Sequence, residues 1–186
     1  MLFRSVWELI RLANRHPRVN ILQPGPGVGG HCIAVDPWFI VAQNPAQARL
    51  IRTAREVNDS KPHWVLNQVK ATVADCLAES GKCASELKIA CFGLAFKPNI
   101  DDLRESPAME IAEMIAGWHK GDTVVVEPNI HELPAKLAGH CTLTTLDDAL
   151  ATADVLVLLV DHKEFKATSG DTVHQQYVVD TKGVWR

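Results

Sequence analysis

The chain of 186 residues has no excess of basic residues: 19 lysines and arginines stand against 22 aspartates and glutamates, for a net charge of -3. A protein that grips nucleic acid or an anionic membrane surface needs a basic stripe, so neither is expected as a partner. The sequence also has no C-x-x-C pair, and its five cysteines (Cys32, Cys76, Cys83, Cys91 and Cys141) are odd in number. That excludes a disulfide framework and a zinc ribbon and fits a reducing, cytoplasmic setting. Long hydrophobic runs are missing as well. The longest uncharged apolar run of the C-terminal half, Val155 to Val160, is far too short for a bilayer, and Arg4, Glu8 and Arg11 interrupt the stretch that a signal segment would keep apolar. No internal repeat or low-complexity segment is present.

What is there divides in two. Residues 2 to 14 read as an amphipathic helix with Val6, Leu9, Ile10 and Ala13 on one face. Residues 46 to 80 read as a helical layer broken or kinked near Pro62, with Val65, Val69, Val73 and Leu77 at helical spacing. After Ser85 the pattern changes. ELKIACFG predicts a strand ending in Gly93, and SPAMEIAEMIAGWHK predicts a helix with Ser106 as N-cap and Pro107 at its first position. DTVVVEP, ADVLVLLV and QYVVD predict three further strands, with LDDALATA helical between the first two. Strands that alternate with helices and read as unbroken apolar runs imply an α/β fold with a parallel sheet covered on both faces. The expected organisation is a helical linker and dimerisation region over residues 1–85, holding a glycine-rich loop, followed by a Rossmann-like domain over residues 86–186.

The glycine-rich loop is PGPGVGGHCIAVDP, residues 24–37. Gly25, Gly27 and Gly30 satisfy G-x-G-x-x-G, but that pattern binds a pyrophosphate only when its glycines turn a strand straight into a helix. Pro24 and Pro26 fix φ inside the loop, and Pro37 biases Asp36 away from the α region, so no such helix is expected. No carboxylate stands about 20 residues on for a ribose either. The glycines instead let backbone amides approach a bound group or form an anion-binding nest, with Cys32 beside it. A single free cysteine is more often a small buried hydrophobe than a nucleophile, and the loop is what favours catalysis at Cys32. A metal site at His31, Cys32 and Asp36 is disfavoured, because adjacent side chains diverge and no second ligand cluster completes it.

In a parallel α/β sheet, ligands bind beyond the carboxyl ends of the strands. The loop after the first strand, GLAFKPNIDDLRESP, offers Lys97 and Arg104 as cations and Phe96 as a stacking face, which suits a nucleotide diphosphate held by side chains. The competing reading makes Lys97 and Arg104 solvated surface partners of Asp101, Asp102 and Glu105.

PGPGVGGHCIAVDP followed by FGLAFKPNIDDLRESP resembles the nucleotide-sugar 6-dehydrogenases, the UDP-glucose and GDP-mannose dehydrogenase family, over the whole chain. The resemblance implies an NAD-dependent four-electron oxidation in which Cys32 carries the thiohemiacetal and thioester and Asp36 supports hydrolysis. The His-Cys-Ile-Ala-Val-Asp-Pro-Trp form around the cysteine implies UDP-N-acetyl-D-mannosamine as substrate, with UDP-glucose or UDP-N-acetylglucosamine as alternatives. By the same resemblance, His16, Arg18, Gly29, Phe96, Lys97 and Lys182 are substrate contacts, Arg104 is a cofactor or interface contact, and the chain forms a homodimer through its helical region. The family's N-terminal nicotinamide-binding domain, with a lysine and an asparagine that assist the chemistry, has no counterpart in this sequence. The chain alone is therefore expected to be inactive with NAD. The alternative is a non-catalytic UDP-sugar-binding and dimerising module.

Overall fold

The computed structural model describes residues 5–168, 170–173 and 176–185. Four helices come first: α1 (Val6–Ala13), α2 (Asp36–Gln43), α3 (Arg49–Asp59) and α4 (Lys61–Ser80). The alternating part follows as β1 (Ile89–Phe92), α5 (Pro107–Trp118), β2 (Thr123–Val126), β3 (Thr142–Leu143), α6 (Leu146–Thr152), β4 (Val155–Leu158), α7 (Lys163–Lys166), α8 (Gly170–Val173) and β5 (Tyr177–Asp180).

The strands form one parallel sheet in the order β3-β2-β1-β4-β5. Because successive side chains of a strand point to opposite faces, β1 feeds two cores. Ile89 and Cys91 pack with Val65, Val69 and Val73 of α4 and Ile111 and Ile115 of α5. Ala90 and Phe92 join Leu156, Leu158, Phe165 and Trp185 on the other face. Strands β1, β2 and β4 are buried throughout, which is why each reads as an apolar run without alternation. The expected α/β class is the one observed. A fifth strand, β3, goes beyond the four read from sequence; two residues, one of them exposed, are too few to carry a strand period.

The helical layer breaks where expected. Ser60 separates α3 from α4, and Pro62 sits in the first turn of α4, where a missing N–H leaves no hydrogen bond unmade. Ser106 caps α5, its Oγ accepting from the Met109 amide at 3.4 Å and donating to the Leu94 carbonyl at 2.6 Å, so the start of α5 is tied to the loop after β1.

Two expectations are corrected. A helix does open soon after the glycine loop: α2 begins at Asp36 with Pro37 in its first turn. The turn from His31 to Val35 has already wound the chain, and the Asp36 amide donates to the Cys32 carbonyl at 2.8 Å, a bond that overrides the bias imposed by the following proline. The apolar face read onto the first helix is also mostly uncovered. Ile10 is buried, but Val6 and Leu9 are exposed; residues 2–4 of that expected helix lie outside the described residues.

Strand order reverses between β1 and β4, since β2 lies to one side of β1 and β4 to the other. In such sheets ligands bind at the carboxyl edge, beyond the ends of the strands near this reversal; here the loops after β1 and β4 are joined, the Asn99 amide donating to His162 Nδ1 at 2.9 Å.

Candidate functional site

The glycine loop lies across that edge. Gly29 meets the chain just before α5: a Cβ there would stand 2.1 Å from the Glu105 carbonyl oxygen. Gly30 has φ +93° and faces the Phe96 ring, which a Cβ would approach to 2.9 Å. At these two positions the close approach that requires glycine is to the protein itself, whereas the sequence predicts approach to a bound group. Asn58 of α3 holds the loop from the other side, accepting from the Val28 amide at 2.9 Å and donating to its carbonyl at 3.3 Å.

Between loop and sheet lies a cleft of about 600 Å³, lined among others by Gly25, Ile33, Asn58, Lys61, Phe96, Lys97 and Lys182. Three lysines line it and no aspartate or glutamate does. Lys182 stands 3.3 Å from Asp161, which also pairs with Lys166 at 2.6 Å. Burial works against ionising Asp161, but the hydrogen bond from Lys166 and the charge of Lys182 outweigh it and hold the carboxyl below its ordinary range. Lys61 lies 3.8 Å over the Trp64 ring. Lys97 is exposed, and no ion pair to it is found among the described residues.

A second cleft of about 570 Å³ opens on the other side of the loop, between α3 and α5. Its lining mixes Arg55, Arg104 and Lys136 with Asp59, Glu105, Glu110 and Glu113. Arg104 makes a two-pronged pair with Asp102, Nε at 2.9 Å from Oδ1 and Nη2 at 2.6 Å from Oδ2. Those hydrogen bonds hold the Asp102 carboxyl down at about 2. The reading of Lys97 and Arg104 as surface partners of neighbouring acids thus describes Arg104 and does not describe Lys97.

The structure therefore brings Phe96, Lys97, Lys182 and Gly29 to one cleft and separates Arg104 from them. Cys32 is exposed in the turn from His31 to Val35 that ends the glycine loop, its neighbours Ile33 and Ala34 lining the first and second cleft respectively. Asp36 is exposed one turn further on. His16 and Arg18 lie exposed after α1, where the His16 ring accepts from the Arg18 amide at 3.3 Å, and neither lines the cleft. Exposure alone does not single out Cys32 among the thiols, because Cys83 is exposed too. Cys76 and Cys91 are buried, and burial pushes both thiols up.

Sequence reasoning missed a buried pair behind the loop that carries Phe96 and Lys97. Glu127, immediately after β2, and His162, shortly after β4, form a fully enclosed pair with Nε2 to Oε2 at 3.0 Å. Glu127 also accepts from the amides of Leu94 (2.7 Å), Ala95 (3.1 Å) and Asn129 (3.1 Å) and from the Asn129 side chain (3.0 Å). The His162 Nδ1 accepts from the Asn99 amide at 2.9 Å, with the Asn129 amide nitrogen at 3.1 Å. Donors at Nδ1 leave Nε2 to carry the ring proton. Burial opposes the Glu127 charge, but the His162 hydrogen bond and the amides prevail and take its carboxyl down to about 2. An acid directly after the second strand was the available signal, since in dinucleotide folds that position reads a ribose. Here its oxygens are occupied by protein donors.

The same observation tests for a nicotinamide dinucleotide. Glu127 is taken up, and the G-x-G-x-x-G match lies in a loop held against Phe96 and the start of α5, separated by a turn from the next helix. The described residues do not form the fingerprint site for such a cofactor. No group of three metal-binding side chains occurs among them, and no helix among them is long and apolar enough to cross a membrane.

A doubly wound parallel sheet with a lysine-lined cleft beyond the carboxyl ends of β1 and β5 is the architecture on which α/β folds hold ligands. The chain belongs to the UDP-glucose/GDP-mannose dehydrogenase family: its UDP binding domain matches residues 90–186 and its central domain residues 4–60. A UDP-N-acetyl-D-mannosamine dehydrogenase of Escherichia coli K12 is 83% identical over 182 residues, which is 98% of this chain and 43% of that protein. An NDP-N-acetyl-D-galactosaminuronic acid dehydrogenase of Ralstonia nicotianae is 58% identical over 97% of this chain and 41% of its own length. Among solved structures, a UDP-D-ManNAc dehydrogenase from Pyrococcus horikoshii aligns with a TM-score of 0.76 at 31% identity, covering 97% of this chain and 41% of that one. The chain thus spans less than half the length of each of these relatives.

Proposed function

We propose that this chain holds the nucleotide diphosphate of a UDP-sugar in the lysine-lined cleft and supplies Cys32 to an NAD-dependent dehydrogenase that oxidises UDP-N-acetyl-D-mannosamine at C6 to the uronate. The observation that carries the reading is the charge of the cleft, three lysines with no acidic side chain. A pyrophosphate bears the charge such a cleft lacks, and an ammonium donor to phosphate makes a hydrogen bond roughly twice as strong as a neutral one. Phe96 offers the base a face, and Lys97 and Lys182 reach the phosphates from the ends of β1 and β5.

The sugar end of the ligand lies toward Cys32 and, from the turn after α1, His16 and Arg18. The Cys32 thiol adds across the C=O bond of a C6 aldehyde, its sulfur bonding to carbon and its proton passing to the oxygen, to give a thiohemiacetal; a hydride acceptor held outside the described residues would be needed to make the thioester, whose C–S bond water would then cleave to return the thiol and release the carboxylate. Asp36, one turn beyond Cys32, orients or deprotonates that water. Bound NAD supplies the hydride acceptor in this family, but the described residues do not fit it, and no hydride step is assigned to them. Arg104 belongs to the neighbouring cleft as a cofactor or interface contact. A second copy of the chain covers the exposed apolar residues Phe39, Ile40 and Leu50 of α2 and α3 in a homodimer, and the protein works in the cytoplasm.

Calorimetric titration with UDP tests the reading. Wild type binds, and Lys97→Ala binds roughly tenfold or more weakly, as loss of a charge-assisted phosphate contact requires. Equal affinity in the two proteins would contradict it.

A further inference from the structure

Resting on the reading of Phe96 and Lys97 as nucleotide contacts, we infer that His162 and Glu127 are positioning residues for UDP: the buried pair clamps both ends of the loop that carries the two contacts and fixes their geometry before the ligand arrives. The loop's hydrogen bonds are the ground for this. Its first two amides, Leu94 and Ala95, donate to Glu127 Oε2, and the amide of Asn99 at its far end donates to His162 Nδ1. His162 Nε2 donates to the same Glu127 oxygen, so one carboxylate and one ring join the two ends. Asn99 sits at φ +62°, a left-handed conformation that asparagine tolerates better than most residues, and its side-chain oxygen accepts from the Lys163 amide next to His162.

Between the anchors, the Phe96 amide donates to the Asp102 carbonyl at 3.2 Å, Lys97 faces the cleft, and Pro98 has no amide to place. The loop is thereby fixed without using any atom of the Lys97 side chain. Its ammonium is held ready for a phosphate, and the ordering of a loop that would otherwise weaken binding is already in place. Neither Glu127 nor His162 lines the cleft, so both act through the loop.

The experiment compares UDP affinity in wild type, Lys97→Ala, His162→Leu and His162→Gln, each checked for thermal unfolding. A glutamine amide offers one donor and one acceptor about as far apart as the two ring nitrogens, so it can serve both Glu127 and the Asn99 amide. His162→Leu is expected to weaken UDP binding roughly tenfold or more, and His162→Gln to restore affinity to within about threefold of wild type. A folded His162→Leu protein that binds UDP like wild type would overturn the positioning role while leaving the Lys97 result standing. A folded His162→Gln protein as weak as His162→Leu would overturn the hydrogen-bond account. Loss of any difference between wild type and Lys97→Ala would instead sink the underlying reading. Hydrogen exchange of wild type covers the case in which His162→Leu does not fold. The Leu94, Ala95 and Asn99 amides should be protected without UDP; protection that arises only when UDP is added would overturn the inference.

Discussion

The two clefts on either side of the glycine loop have nearly the same volume, about 600 and about 570 Å³, and share Val28 as a wall, yet they differ in charge. The first is lined by three lysines and no acid; the second pairs its arginines with carboxylates from α3 and the loop ahead of α5. Concavity is therefore a poor guide to the ligand in this molecule. Lys97, for which no ion pair is found among the described residues, and a lining free of carboxylates distinguish the first cleft, whereas both arginines of the second are paired with carboxylates. Each cleft also has one strongly acidified carboxylate, and these differ in the same sense. Glu127 is enclosed behind the loop that brings Phe96 and Lys97 to the first and Asp102 is tied to an exposed arginine beside the second.

The largest effect should come from the glycine loop that borders the first cleft. Gly29→Ala sets a Cβ against a backbone carbonyl that the start of α5 holds in place, at a cost of about 1 to 3 kcal/mol or more. Thermal unfolding should show the loss, and Gly117→Ala, whose Cβ meets open space in α5, should be neutral or stabilising. Next comes charge: Lys182→Ala should weaken UDP binding roughly tenfold or more, while Glu110→Gln in the second cleft should leave affinity unchanged. Similar losses from both would erase the distinction.

A smaller effect separates the two acids. Because the folded state lowers the Glu127 carboxyl from 4.5 to about 2, its contribution to stability is present above about 4.5 and is lost as pH falls from there toward about 2. Denaturant titrations across that window should slope for wild type and flatten for Glu127→Gln. The smallest effect is assigned to Arg104→Ala, which breaks a solvent-exposed pair and should barely move the unfolding temperature or UDP affinity.

Much of this was legible in the sequence. The sheet could be read because β1, β2 and β4 are buried on both faces, so their apolar runs have no interruption, and α5 could be read because Ser106 and Pro107 mark its start. Lys97 and Phe96 were found by position alone, since a strand followed by a glycine at its carboxyl end points to its own loop. The rest depended on contacts remote in sequence. Glu127 lies 33 residues from Leu94 and His162 lies 63 residues from Asn99, and no local pattern reports such pairs. The glycine loop was misread in part for the same reason, because what Gly29 and Gly30 approach is the chain at Glu105 and Phe96. Composition could not separate the two clefts, since lysines and glutamates are mixed along the chain and are sorted only by folding.

The most direct test of the account is a map of UDP contacts by two-dimensional NMR of the backbone amides, recorded during titration to saturation. The expected result is a set of shifts at Gly25, Gly27, Phe96, Lys97 and Lys182, with Val35, Glu110 and Lys136 of the second cleft unmoved. Shifts confined to Val35, Glu110 and Lys136, with the lysine-lined cleft silent, would contradict the claim that the cleft lined by lysines without carboxylates is the nucleotide site.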